Sequence, residues 1–221
     1  EILFVLRKAR VRHLFLTPEV KGNPLAAALA QAIPRAAGGA LPPPELPDLD
    51  LYGMNIAAKE VGGDYYAWVL MGDEFACVVI GDVSGKSIPA ALYGAVFSGQ
   101  LRTLFSGMPA PAKALRLLNE NLLARYQSNN YIAVAYCRID LASGTGILAN
   151  GGMPFPFLDQ DGSLTRLEVR GVPLGLMEAT DYEELEFRMH PGDTLVLASD
   201  GVMDAQEANG EFYGERRFAD S

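Results

Sequence analysis

The sequence predicts a layered α+β domain with largely antiparallel sheets. Three observations carry this. Short β-rich segments come first, two helical segments follow, and many short strands come after them, an order unlike a βαβ repeat. Hydrophobic residues make up 49% of the 221 and charged residues 20%, enough apolar surface to bury one core. No self-similarity of solenoid length recurs along the chain.

Residues 1–45 read as an N-terminal extension, a linker or regulatory arm. LRKARVRH is basic, LAAALAQAI is a short helical stretch stopped by Pro34, and AAGGALPPPELP is a Gly/Pro segment. A solvated basic face is the ordinary role of such a run, and an acidic partner is the alternative. Residues 46–221 read as the main domain. DLYGMNIAA, YYAWVLM and EFACVVIGDV are short and rich in β-formers, and MGDE between two of them is a hairpin turn signal.

Residues 87–105 follow as an apolar run without charge until Arg102. Ser87 can cap it, and Pro89 sits in the first turn, where its missing N–H costs little. A helix apolar on nearly every side is expected between layers. A second helix is expected from Pro111 to about Tyr126, with Leu115, Leu118 and Leu122 on one face. The strands then return as YIAVAYCRID, TGILAN, PFPFLD, LTRLEV, YEELEF and TLVLAS, with DQDG and HPGD as turns.

Charge narrows the function. Net charge is −9, and the basic excess is confined to residues 1–45, so the body is a poor partner for nucleic acid and a better one for cations. The two histidines, His13 and His190, argue against His-rich zinc catalysis. No apolar run approaches the roughly 18 residues of a membrane span, and no signal peptide is expected. Cys77 and Cys137 sit in apolar strand sequence, with Arg138 expected on the face away from Cys137. Both are expected reduced, buried and outside the chemistry, in a cytoplasmic protein.

Three aspartates lie at the ends of apolar strands: Asp64 in VGGDYY, Asp82 in CVVIGDVSGKS and Asp200 in TLVLASDGVMD. A charge emerging from a buried strand is costly unless paired or bound to a metal. A turn or cap role is the ordinary alternative for each alone. Each also adjoins a glycine, Gly63, Gly81 or Gly201, which lets the backbone turn and approach a ligand closely. The repetition points to one shared site. Oxygen ligands suit Mg²⁺ or Mn²⁺. Two such ions can share one carboxylate, activate a water and clamp a phosphate, with no protein nucleophile. GDVSGKS is not a phosphate-binding P-loop, because Ile80 stands where that motif needs its first Gly.

EVGGDYY, VVIGDVSGKSIPAAL, ILANGGMPFPFL, GVPLGL, SDGVMDA and NGEFYGERRF, in that order along the chain, resemble the SpoIIE/RsbU-type branch of the PPM (type 2C-like) metal-dependent protein phosphatases. The resemblance covers about residues 41–218. It implies a sandwich of two antiparallel β-sheets flanked by helices. It implies hydrolysis of phosphoserine or phosphothreonine on a partner protein, usually a STAS anti-anti-sigma factor of a partner-switching pathway. It also implies control by an upstream sensory domain or activator. Carried over by motif, Asp82 bridges two metals and the Val83 carbonyl is a candidate ligand. Asp64 acts directly or through water, and Asp200 binds the other ion. Asp204 matches the acidic position four residues on, with a surface turn as its alternative role.

The chain departs from the family pattern in three places. Met153 stands where the family usually has His, and Ala133 where it often has Thr; both are expected to tune the loop without ligating metal. The family continues after GERRF with a helix and a strand carrying an Asp-rich metal motif. The sequence in hand stops at Ser221 before that motif, so either it is cut short or the second metal site lacks a ligand. A degenerate, non-catalytic binding module is the competing class. A small-molecule metallophosphoesterase is the third, disfavoured by the scarcity of His.

Overall fold

A computed structural model describes residues 2–7, 49–55, 63–85, 88–105, 107, 109–125, 130–178 and 180–204. Strands β1 (Ile2–Arg7), β2 (Asp50–Asn55), β3 (Tyr65–Met71) and β4 (Phe75–Val83) precede helices α1 (Ile88–Phe105) and α2 (Pro111–Arg125). Strands β5 (Ile132–Asp140), β6 (Thr145–Gly151), β7 (Phe157–Gln160), β8 (Ser163–Arg166), β9 (Leu185–Arg188) and β10 (Thr194–Ala198) follow, and then the single turn α3 (Asp200–Met203). The strands form two five-stranded sheets, β2-β1-β10-β7-β8 and β3-β4-β5-β6-β9, with every named pairing antiparallel. This is the α+β sandwich expected from the sequence.

Strand periodicity explains the layering. Val78, Ile80, Ala135, Cys137 and Leu148 point between the sheets and meet Leu158, Leu195 and Leu197 of the facing sheet. The alternate residues Cys77, Val79, Val134 and Tyr136 point outward and meet the helices. A strand covered on both faces must be apolar throughout, which is why EFACVVIGDV lacks the polar alternation of a half-exposed strand. On α2, Leu115, Leu118 and Leu122 are all buried on that outer face.

Helix α1 lies on the same face through Phe97, Leu101 and Phe105, spaced four apart. It is not sealed between layers as expected, because Val96 is 42% exposed. Among the described residues, no helix is long and apolar enough to cross a membrane.

The turns follow their chemistry. Asp161 and Gly162 take φ of +52° and +79° in DQDG, the two left-handed positions of a type I′ hairpin between β7 and β8. In HPGD, the Asp193 carboxylate accepts from the His190 N–H at 2.7 Å and from Gln160 Nε2 at 2.6 Å.

One expectation is corrected. Residues 2–7 were read as part of a separable extension, yet they form β1, inserted between β2 and β10. The apolar run ILFVL is a β-former pattern, and a sheet with strands on both sides uses it. Residues 8–48, Glu60, Ser87 and NGEFYGERRF lie outside the described residues.

Candidate metal centre

The β3–β4 hairpin pairs Tyr65 with Gly81, which sets Asp64 opposite Asp82 at the open end of the hairpin. The Asp64 carboxyl lies close enough to accept a bond from Asp82 when Asp82 is protonated. Asp200 arrives from the other sheet, where β10 ends at Ala198 and turns into α3. Burial first, then the bond and charge of Asp64 and the charge of Asp200, push the Asp82 carboxyl up to about 7. Desolvation, Asp204 and Asp64 raise Asp200, opposed by the backbone N–H of Gly201.

Ser199 fastens the two sheets at this end. Its hydroxyl donates to Asp64 Oδ2 at 3.1 Å, and the residue is fully buried. Backbone contact brings in Val83. Its N–H faces the Gly63 carbonyl at 3.4 Å, and a Cβ on Gly63 would stand 2.6 Å from the Val83 carbonyl oxygen. Only glycine lets these backbones approach so closely.

Asp64, Asp82 and Asp200 are thus brought to one end of the sandwich. Asp204 caps the C-terminus of α3, is exposed, and adds its charge at Asp200. Ala133 stands directly opposite Asp82 in β5. Met153 is a buried core residue, its N–H and carbonyl both held by the Asn150 side chain at 2.8 and 2.9 Å. Ser199 escaped the sequence reading, although it directly precedes Asp200 in the SDG motif. A serine there reads as an ordinary cap, and no local signal reveals a partner so distant in the chain.

Among the described residues, no three His, Cys, Asp or Glu side chains are gathered at metal-ligand spacing. The donor set nonetheless fits a hard divalent cation in kind. Its atoms are carboxylate oxygens, and Asp82 is raised by burial first and by its Asp64 and Asp200 neighbours next.

The cysteines lie on opposite faces of their sheet, both buried and free. Cys77 receives the Tyr136 hydroxyl at 3.4 Å and lies opposite Arg138 in the register. Burial raises its thiol despite the hydrogen bond and the Arg138 charge, and burial raises Cys137 as well. Arg138 therefore shares a face with Cys77, a neighbour the sequence reading did not anticipate.

The sequence model described as stage II sporulation protein E (SpoIIE) matches residues 72–221. The phosphoserine phosphatase RsbU of Bacillus subtilis is 29% identical over 169 residues, spanning 76% of this chain and 50% of that protein. Protein IcfG of Synechocystis sp. is 28% identical over 211 residues, spanning 81% of this chain and 33% of that protein. The chain thus spans a third to a half of these curated relatives. The crystal structure of the RsbU and RsbW domains of Rv1364c from Mycobacterium tuberculosis matches with a TM-score of 0.65 at 23% identity. That match covers 75% of this chain and 46% of the other, and it is a likeness of fold.

Proposed function

We propose, on the premise that the chain belongs to the SpoIIE family, that it is a metal-dependent serine/threonine protein phosphatase. The observation that carries this reading is the convergence of Asp64, Asp82 and Asp200 from both sheets on one end of the sandwich, where burial first and then the Asp64 and Asp200 carboxylates raise Asp82 to about 7. Two divalent cations, Mn²⁺ or Mg²⁺, would be shared by Asp82. Asp64 and the Val83 carbonyl would hold one, and Asp200 with Asp204 the other. When bound, such ions supply a nucleophilic water at neutral pH and neutralise phosphoryl charge.

The chain's own groups do the positioning. The Ser199 hydroxyl fixes the Asp64 carboxylate, so that its oxygens keep one orientation. Gly63 leaves the Val83 carbonyl unobstructed by a side chain. The hairpin register holds Asp64 and Asp82 at a constant separation. The substrate in this reading is a phosphorylated STAS anti-anti-sigma protein, under an upstream activator, in the reducing cytoplasm. Support comes from the relative named phosphoserine phosphatase RsbU.

Phosphate release from a serine-phosphorylated STAS protein, with Mn²⁺, with Mg²⁺ and with chelator, tests the proposal. Release that needs the cation is expected. Binding of the phosphoprotein without release under any condition would instead identify a non-catalytic binding module.

A further inference from the structure

We propose that residues 174–178 form the lip on which the substrate segment docks, and that it selects phosphoserines flanked by apolar and basic side chains. This rests on the phosphatase reading above. Leu176 and Met177 are 54% and 55% exposed, the most exposed large hydrophobic residues among those described. Such side chains on a slack loop would fold inward, because water disfavours them. This loop cannot do so, because its backbone is fastened at three points. The Gly175 N–H donates to Asn119 Oδ1 at 2.7 Å, and Asn119 Nδ2 donates to the Met177 carbonyl at 2.9 Å. The Thr180 hydroxyl donates to the same carbonyl at 3.2 Å. Asn119 is itself buried in α2, 1% exposed, so its amide is spent on holding the loop.

The lip adjoins the carboxylate site through backbone contacts. Leu174 and Ile132 exchange bonds of 2.8 and 2.9 Å. Next to Ile132, Tyr131 is 40% exposed and pairs with Ser84: Ser84 N–H donates to its carbonyl at 2.9 Å, and its own N–H donates to Ser84 Oγ at 2.7 Å. Ser84 directly follows Val83. Backbone bonds therefore lead from the loop bearing Leu176 and Met177, through Leu174 and Ile132, to exposed Tyr131 and the strand end that bears Asp82.

Charge defines the rest of the ligand. Glu178, at the end of the lip, and Asp181 and Glu183 just beyond it are all exposed, while Glu184 Oε1 accepts from the Ala112 N–H at 2.9 Å. A phosphoserine segment with acidic neighbours would be repelled here. One with leucine and arginine beside the phosphoserine would set apolar surface on the lip and cations against its acidic rim.

Two phosphoserine peptides test this with Mn²⁺ and the 221-residue chain, one flanked by leucine and arginine, the other by glycine and glutamate. The first should be hydrolysed with at least a tenfold higher kcat/KM. Leu176→Ser combined with Met177→Ser should bring that ratio near parity. Equal turnover of the two peptides by the native chain, or an unchanged ratio in the variant, overturns the proposal. p-Nitrophenyl phosphate reports separately on the underlying reading. If the native chain leaves it intact, the phosphatase assignment fails; if it is hydrolysed while both peptides are treated alike, only the lip fails.

Discussion

The Ser199 hydroxyl donates to Asp64 Oδ2 at 3.1 Å, joining residues 135 positions apart and from opposite sheets. A hydrogen bond to a carboxylate is worth about 1.5–3 kcal/mol, and removing one buried partner adds a desolvation penalty. Ser199→Ala should lower stability by about 1–2 kcal/mol and weaken Mn²⁺ binding. Thermal melting and titration calorimetry measure the two effects. An unchanged Kd for Mn²⁺ would show that Asp64 is held by other groups.

Asp82→Asn should act in opposite directions with and without metal. Like charges facing each other across a hairpin destabilise it by roughly 0.2–1 kcal/mol. Removing one should raise the melting temperature of the metal-free chain at pH 8 by about 1–4 °C. The same change should abolish Mn²⁺-dependent phosphate release, because a neutral amide cannot hold two dications together. Retained turnover in the folded variant would reject the bridging role.

Gly63→Ala places a methyl group 2.6 Å from the Val83 carbonyl oxygen. The obstacle is backbone, so the strand end itself must move. Weaker Mn²⁺ binding and a loss of about 1–3 kcal/mol of stability are expected. Wild-type metal affinity in this variant would exclude Val83 as a ligand.

Burial raises the pKa of Cys77, Cys137, Tyr65, Tyr136 and Tyr182, the last to about 12. For an acid whose folded pKa lies above its unfolded one, the stability is complete below the unfolded value and is lost as pH rises toward the folded value. The chain should therefore be insensitive to these groups at pH 7. Its melting temperature should fall steadily from about pH 8.5 upward, as unfolded thiols and then phenols ionise. Replacing Cys77 and Cys137 with Val should flatten the first part of that fall. The same thiols should resist iodoacetamide at pH 8 until the chain unfolds.

Much of this architecture was legible in residue order. YYAWVLM is β3 residue for residue, and the helix over α2 ends within one residue of the expected Tyr126. Local patterns sufficed because the central strands are apolar on both faces and the turns MGDE, DQDG and HPGD each carry glycine beside Asp or Pro. Asp64, Asp82 and Asp200 were visible because each breaks an apolar run. Local pattern could not reveal the pairing of Ser199 with Asp64, nor the place of β1. Both depend on which distant segments meet, and ILFVL reads the same in an edge strand, a central strand or an arm.

The place of β1 bears on the order in which the protein assembles. Leu3 pairs with Ala198, so the first described strand waits for the last. The β3–β4 and β5–β6 hairpins each close over a short turn and can form early, with α1 and α2 between them in the chain. The other sheet cannot close until β10 has left the ribosome, and until then ILFVL has an unpaired edge open to other chains. Asp200 follows β10 by two residues, so the carboxylate group assembles with the final closure of that sheet. During synthesis, aggregation and metal capture should therefore be rival fates separated by one late event.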